Sequence, residues 1–448
     1  MTDGGRQRAV HRQPRSLTPL PWHLAGAGSN DAVRQPVGPQ QAAVVSSATR
    51  VMIVFVCREQ PMRRASFKRL VICCDGTWNR LDAAEPTNVV KFAESVTSTA
   101  EDGTRQIVWY DEGVGSGNTT VGRNLDRWLG GAFGAGLMTK VEQAYRFLMF
   151  NYDPGDQIYI LGFSRGAYTA RSLAGLIRNC GIVERSRARR IREAIALYRG
   201  RDADSHPDAA QSCALRNDVC PGIYLSNADL TWREKNVPGF DVTSTQPLQI
   251  EYLGVWDTVG ALGLPNHYWI SGLFNGRYRF HDAALSSTVR AARHALALDE
   301  YRRAFEPGLW KNLDHLNHAA LADGRGVRFR QTWFPGDHSS IGGGWKEVGL
   351  SSDALLWLIE GAAESGLAFR AEALDAARSA ANHRAALTGK PKRFSITNFM
   401  SRRPRAGPRI VADVSESARK RWKEPANALP EKELYRPQSL SAVADVLD

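Results

Sequence analysis

Residues Gln157–Arg171 read QIYILGFSRGAYTAR, and that stretch decides the fold. Its first five residues, Gln157 to Leu161, are a short apolar run of strand-forming side chains. From about Ala167 to Asn179 the pattern changes to helical spacing. Between the two stands Gly162-Phe163-Ser164-Arg165-Gly166, a G-x-S-x-G sequence flanked by the strand and helix that the motif requires. A serine on so sharp a strand-to-helix turn takes strained backbone angles, and its neighbours must be small for helix and strand to approach. The turn lifts the hydroxyl above the sheet at a helix N-terminus, where main-chain N–H groups can receive a developing oxyanion. A merely tight turn is the bland alternative.

Further buried strands are expected at Leu70–Cys74, which runs into Asp75-Gly76-Thr77, and at Ile107–Tyr110, Ile250–Val255 and Val327–Trp333. Helical patterns cover Leu137–Phe150, Asp282–Leu298 and Ser352–Glu364. Strands alternating with helices predict an α/β fold, α/β-hydrolase-like, with a mostly parallel central sheet and helices on both faces. Residues 183–248 carry many charges and no strong strand signal, so they read as a helical or irregular insertion and a candidate lid. The expected organisation is a disordered or dispensable extension over 1–67, a catalytic domain over 68–369, and a basic, partly helical tail over 370–448. The first 61 residues read as dispensable or as an over-long gene start, because Met62 opens a natural domain beginning.

The chain has 448 residues, 43% hydrophobic and 23% charged, which excludes collagen, coiled-coil and wholly disordered classes. No run approaches the roughly 18–20 apolar residues of a membrane-spanning helix. The formal net charge of +12 invites a nucleic-acid or anionic-membrane reading. Its distribution argues against specific nucleic-acid binding. Residues 1–69 hold 11 basic and 3 acidic side chains, residues 370–448 hold 16 and 9, and the middle carries −3. The basic ends are therefore read either as an aid to peripheral contact with an anionic membrane or as solubilising tails. The six cysteines lack metal-site spacing and read as reduced, buried thiols, with a Cys213–Cys220 bridge left open. Val51–Cys57 is too short and too far along for a signal peptide. Cytoplasmic location is expected, with export by a route independent of a signal peptide as the alternative.

A serine nucleophile needs a base, and the base needs an orienting acid. Asp257, in GVWDTVG, and His338, in PGDHSSIGGG, both follow predicted strands, and Ser164…Asp257…His338 is the chain order of an α/β-hydrolase. Competitors are weaker. Asp337 adjoins the histidine too closely for productive geometry, His294 reads as a packing histidine in a helix, and His315 with His318 lack a third ligand. The main-chain N–H of Arg165 is one expected oxyanion donor, and Gly76 or Thr77 the second, with the choice left open. Asp75 and the glycine loop of Gly113, Gly115 and Gly117 are expected on the active-site rim, the loop fitting neither a P-loop nor a dinucleotide fingerprint.

Taken together, CDGTWN (74–79), DEGVGSG (111–117), GFSRGAYTAR (162–171), GVWDTVG (254–260), RHALALDE (293–300) and PGDHSSIGGG (335–344) resemble the α/β-hydrolase family of type VI secretion phospholipase effectors. The resemblance covers about residues 68–365. It implies phospholipase A-type activity, with Ser164 as nucleophile, Asp257 as acid and His338 as base. One departure is that His338 is followed by Ser339-Ser340, where the family usually has Ser-Asp. The expectation is a serine hydrolase of a carboxylic ester, most plausibly a phospholipid or other acyl ester. It would need no metal or organic cofactor. The rival is a non-catalytic module of the same fold that docks on an anionic surface. Oligomeric state is unconstrained.

Overall fold

The computed structural model describes residues 67–76, 79, 81–113, 132–200, 202–259, 284–388 and 403–448, all within the unit Arg63–Asp448. Its centre is a six-stranded sheet built from β1 (Arg69–Cys74), β2 (Gln106–Asp111), β3 (Gln157–Phe163), β6 (Ile250–Trp256), β7 (Ala292–Ala297) and β8 (Phe329–Phe334). The spatial order is β2-β1-β3-β6-β7-β8, and every pairing is parallel. A two-stranded ribbon, β4 (Ile223–Tyr224) with β5 (Gln246–Pro247), stands apart. Between β1 and β3 the chain reverses its direction of travel across the sheet. Loops leaving the two strands there diverge, which opens a crevice at their carboxyl ends.

Helices α1 (Asn88–Ser95), α2 (Ala132–Asn151), α3 (Arg165–Cys180), α4 (Ile191–Arg199), α5 (Ala210–Val219), α6 (Asn227–Asn236) and α7 (Leu313–Ala322) follow in order. They are succeeded by α8 (His338–Gly342), α9 (Gly349–Ala363), α10 (Ala371–Ala380), α11 (Glu416–Lys423) and α12 (Ala444–Leu447). Period-two alternation along each strand divides the core. Leu70, Ile72 and Cys74 of β1, with Ile158 and Ile160 of β3, pack on the α2–α3 side. Val71 and Cys73, with Tyr159 and Leu161, pack on the α1–α9 side. The adjacent cysteines thus face opposite layers, both buried and free, as are Cys213 and Cys220.

The pattern over Asp282–Leu298 is corrected by the structure: Ala292–Ala297 is strand β7, paired to β6 and β8. Its sequence, ARHALA, has helix-forming composition, but all six residues are buried. A central strand covered on both faces loses the alternation that would have marked it, and sheet pairing overrides propensity.

The insertion over 183–248, the candidate lid, is anchored at the end of α3. A buried Arg216–Asp229–Arg233 cluster holds it together. Arg216 Nη1 donates to the carbonyl of Asn179 at 2.7 Å, near the end of α3. The Cys220 sulfur sits against Gly181, which takes φ +69°. That anchor is the far end of a 16-residue helix from Ser164, about 24 Å along its axis.

Nor does the chain after 370 trail away. Trp422, Tyr435, Leu440, Val443 and Leu447 bury themselves against Leu296, Leu298 and Trp333, a third apolar cluster on the β7–β8 side. Val414 bridges to Trp333 of β8, and Ser415 N donates to the Trp333 carbonyl at 2.9 Å.

Candidate active site

β3 ends in a bend with Ser164 at φ 58°, ψ −120°. A non-glycine residue pays steric energy to sit there, so the surrounding structure must impose it. The two motif glycines make that possible. A Cβ on Gly162 would stand 2.5 Å from the Gly166 carbonyl oxygen, and one on Gly166 would stand 2.2 Å from that of Cys74. Both obstructions are backbone and cannot swing aside. Ser164 N donates to the Trp256 carbonyl at 3.0 Å, tying the elbow to the end of β6.

Three side chains converge on this corner. Ser164 Oγ lies 2.8 Å from His338 Nε2, and His338 Nδ1 lies 2.6 Å from Asp257 Oδ2. All three are buried, Asp257 completely. Asp257 follows β6 at φ 40°, another positive value on a non-glycine residue. His338 opens α8, and its ring lies between Phe163 and Phe305, with centroids 4.7 and 4.8 Å away. With Nδ1 donating to the carboxylate, Nε2 is left as the acceptor facing the serine hydroxyl.

The Asp257 carboxylate is fully engaged. Oδ1 accepts from Ala297 N at 3.0 Å and from Arg405 Nη1 at 2.6 Å, while Oδ2 accepts from Arg405 Nη2 at 2.9 Å as well as from His338. Burial alone would disfavour the ionised form. The Arg405 guanidinium and the His338 hydrogen bond outweigh it and hold the carboxyl well below the usual range. Arg405 was not legible as a site residue: it lies 148 positions from its partner, inside a segment whose charge resembles a solvated tail. The available signal was punctuation, Pro404, Gly407 and Pro408, followed by buried aromatics. Glu300 was also missed. Its Oε2 accepts from His338 N at 3.4 Å and from Arg302 Nη2 at 2.6 Å.

The competing residues have other occupations. Asp337 caps α8, accepting from Ser340 N at 2.9 Å and Ser340 Oγ at 2.8 Å. Ser340, at the position of the family departure, also meets Thr388 Oγ1 at 3.0 Å. His294 lies in a strand, not a helix. Burial, with Arg171 nearby, lowers its pKa to about 3, so it is neutral, and Nε2 accepts from Thr258 N at 3.2 Å. His315 and His318 are on the exposed side of α7.

Gly76 adjoins the nucleophile: a Cβ there would be 3.3 Å from the Ser164 Cβ. Its N–H, however, donates to Asp75 Oδ1 at 2.6 Å, so in this conformation it serves the carboxylate and not an oxyanion. Asp75 is a buried anchor more than a rim residue. It accepts from Thr87 Oγ1 at 2.6 Å, Tyr110 OH at 2.8 Å and Asn79 Nδ2 at 3.0 Å. Burial raises its pKa despite these bonds. Arg165 follows Ser164 directly and is the first residue of α3, at the positive end of that helix. Gly113 is buried two residues after β2, whereas Thr77, Gly115 and Gly117 lie outside the described residues.

Residues 68–361 match the family model described as "T6SS, Phospholipase effector Tle1-like, catalytic domain", and the chain belongs to that family. The chain is 28% identical over 252 residues to the uncharacterized protein YEL023C of Saccharomyces cerevisiae, across 54% of this chain and 32% of that protein. It therefore spans about a third of that relative. Among solved structures, it is similar to an uncharacterized protein from Pseudomonas aeruginosa, with TM-score 0.37 and 18% identity over 70% of this chain and 48% of that one. A second is the Tle1 effector bound to the VgrG spike from the Type 6 secretion system, with TM-score 0.30 and 18% identity over 63% and 52%. The chain spans about half the length of these two structures.

Proposed function

We propose that this member of the Tle1-like phospholipase effector family is a serine hydrolase that cleaves a carboxylic ester of a phospholipid or related acyl lipid. The observation that carries the reading is the continuous path Ser164 Oγ–His338 Nε2, 2.8 Å, and His338 Nδ1–Asp257 Oδ2, 2.6 Å, on a strained elbow. In the proposed mechanism His338 Nε2 takes the hydroxyl proton as Ser164 Oγ attacks the ester carbonyl. Asp257 stabilises the imidazolium without taking its proton. The Arg165 N–H, at the start of α3, receives the oxyanion. Collapse expels the alcohol, protonated from Nε2, and water then enters by the reverse path to release the acid and regenerate Ser164.

Peripheral attraction to an anionic membrane remains part of the proposal, in a narrower form. Of the basic residues after 370, Arg405 and Arg421 are buried, Arg421 against Glu431, and they offer nothing to a surface. Among the described residues no helix is long and apolar enough to cross a membrane. Cytoplasmic location is likewise proposed, with export by a route independent of a signal peptide as the alternative.

The test pairs a fluorophosphonate probe with a panel of phospholipid and short-chain esters, on wild type and Ser164→Ala. Covalent labelling mapped to Ser164, and ester turnover lost in the variant, are expected. A folded wild-type protein that neither labels nor turns over any ester would favour the binding-module reading.

A further inference from the structure

We propose that Arg405 is a positioning residue of this active site: its guanidinium, delivered by the C-terminal segment, locks the Asp257 carboxylate in the orientation that faces His338. The inference rests on the Ser164–His338–Asp257 reading above. It concerns a residue outside the span 68–361 that matches the family's catalytic domain.

Geometry carries it. An aspartate that orients a histidine must present one oxygen in the imidazole plane, and rotation about its last side-chain bond would spoil that. Arg405 opposes the rotation with a two-pronged contact, Nη1 to Oδ1 at 2.6 Å and Nη2 to Oδ2 at 2.9 Å. A planar fork fixes the plane of the carboxylate, which a point charge cannot do. The fork is itself held: Nη1 also donates to the Ala297 carbonyl at 3.1 Å and Nη2 to that of Phe305, and the residue is 4% exposed. Phe305 in turn packs its ring against His338. One cation thus spans the carboxylate and the loop that walls the imidazole.

The segment that carries Arg405 is seated firmly enough for this task. Arg403 N donates to the Tyr301 carbonyl at 2.7 Å. Two residues beyond Arg405, Gly407 takes φ +71°, and a Cβ there would stand 1.7 Å from the Ser439 carbonyl oxygen. Ser439 Oγ donates to the Leu298 carbonyl at 2.9 Å, and Tyr435 OH to Asp299 Oδ2 at 2.8 Å. The tail is therefore bound to the loop after β7, directly behind Asp257.

Other charges face the same corner. Glu300 and Arg302 come from the loop after β7, His294 from β7, Arg171 from α3, and Asp337 from the cap of α8. Arg405 and His338 both bond the Asp257 carboxylate, and Arg405 brings the guanidinium charge to it. Removing it leaves a buried carboxylate with burial opposing its ionisation. Asp257 then protonates at higher pH, and the acid limb of the pH–rate profile moves up.

The experiment compares full-length wild type, Arg405→Lys, Arg405→Gln and Ser164→Ala. It reads thermal unfolding, the rate of fluorophosphonate labelling at Ser164, kcat and KM on p-nitrophenyl butyrate, and the pH dependence of kcat/KM. Arg405→Lys keeps a cation but not the fork: kcat should fall about tenfold, with KM within about twofold and the acid limb near wild type. Arg405→Gln should lose about a hundredfold in kcat, and its acid limb should move to higher pH. Folded variants that label and turn over at the wild-type rate, with an unmoved acid limb, would overturn the proposal. If Arg405→Gln does not fold, wild-type kcat in Arg405→Lys overturns it alone. If Arg405→Lys cannot fold either, the residue is structural only, which overturns it as well. A wild type that folds but leaves Ser164 unlabelled points instead to failure of the serine-hydrolase reading.

Discussion

Two buried aspartates in this chain are each gripped by arginine, and they do different things. Asp257 meets Arg405 through both oxygens, with one oxygen also on His338 and so one hydrogen bond from Ser164. Asp229 meets Arg216 at 3.1 Å and Arg233 at 3.6 Å, and other guanidinium donors go to the main-chain carbonyls of Asn179, Pro207, Pro221 and Ile223 and to the Cys213 sulfur. The second cluster ties insertion helices to the end of α3, and its bonds lead to main-chain carbonyls and to the buried Cys213 thiol, not to a histidine. A buried ion pair by itself says little about function. What distinguishes the sites is the group beyond the pair: an imidazole facing a serine hydroxyl in one case, carbonyl groups and a buried thiol in the other.

Mutations should separate the two. The largest effect is expected for Ser164→Ala, with a loss of about a millionfold in kcat on an activated ester and little change in unfolding temperature. Asp257→Asn should follow, at about ten-thousandfold in kcat, because an amide facing Nδ1 favours the wrong imidazole tautomer. Asp229→Ala inverts the readouts: it strands two buried guanidinium groups and should cost roughly 3–5 kcal/mol in denaturant unfolding, with kcat of the folded fraction unchanged. Should Asp229→Ala instead abolish turnover in a protein of normal stability, the contrast between the clusters breaks.

The pH dependence of stability sharpens the same contrast. Asp257 is held below its ordinary range, so its contribution is complete above about pH 4, the unfolded value, and is lost only as the pH drops through the lower folded value. Asp353 behaves oppositely. Burial, assisted by Glu416 and opposed by His383 and Lys420, raises it to about 6. Its ionised form burdens the fold above that pH, and the burden disappears below about pH 4. Asp353→Asn should therefore stabilise the protein by roughly 1 kcal/mol at pH 8 and have no effect at pH 4. Thermal melts at the two pH values decide it, and an equal gain at both would refute the assignment.

Much of the sheet and one corner of the site were legible in the amino-acid order. Short runs rich in strand-forming side chains placed β1, β2, β3, β6 and β8, most plainly β1 and β3, which are covered on both faces and apolar nearly throughout. Gly162 and Gly166 marked the elbow, because local backbone crowding admits no Cβ there. Positions after strands then singled out Ser164, Asp257 and His338, which the structure brings within hydrogen-bonding distance. β7 escaped because its alanine-rich composition suits a helix, and only its neighbours β6 and β8 make it a strand. The insertion's charges suggested a mobile cover. Three of them meet one another in the interior, which no one-dimensional pattern records. Arg405 is the plainest case. Net charge is a sum over positions and carries no partners, so an arginine in a basic segment looks like any other. Its pairing depends on Gly407, Tyr435 and Ser439 docking behind β7, contacts distant in sequence that only the folded chain can bring together. Sequence alone determined which elements the chain can form and where the chemistry begins, since both follow from local backbone and burial rules. Tertiary structure decided which charges become part of that chemistry, since a buried ion pair exists only where two remote segments meet.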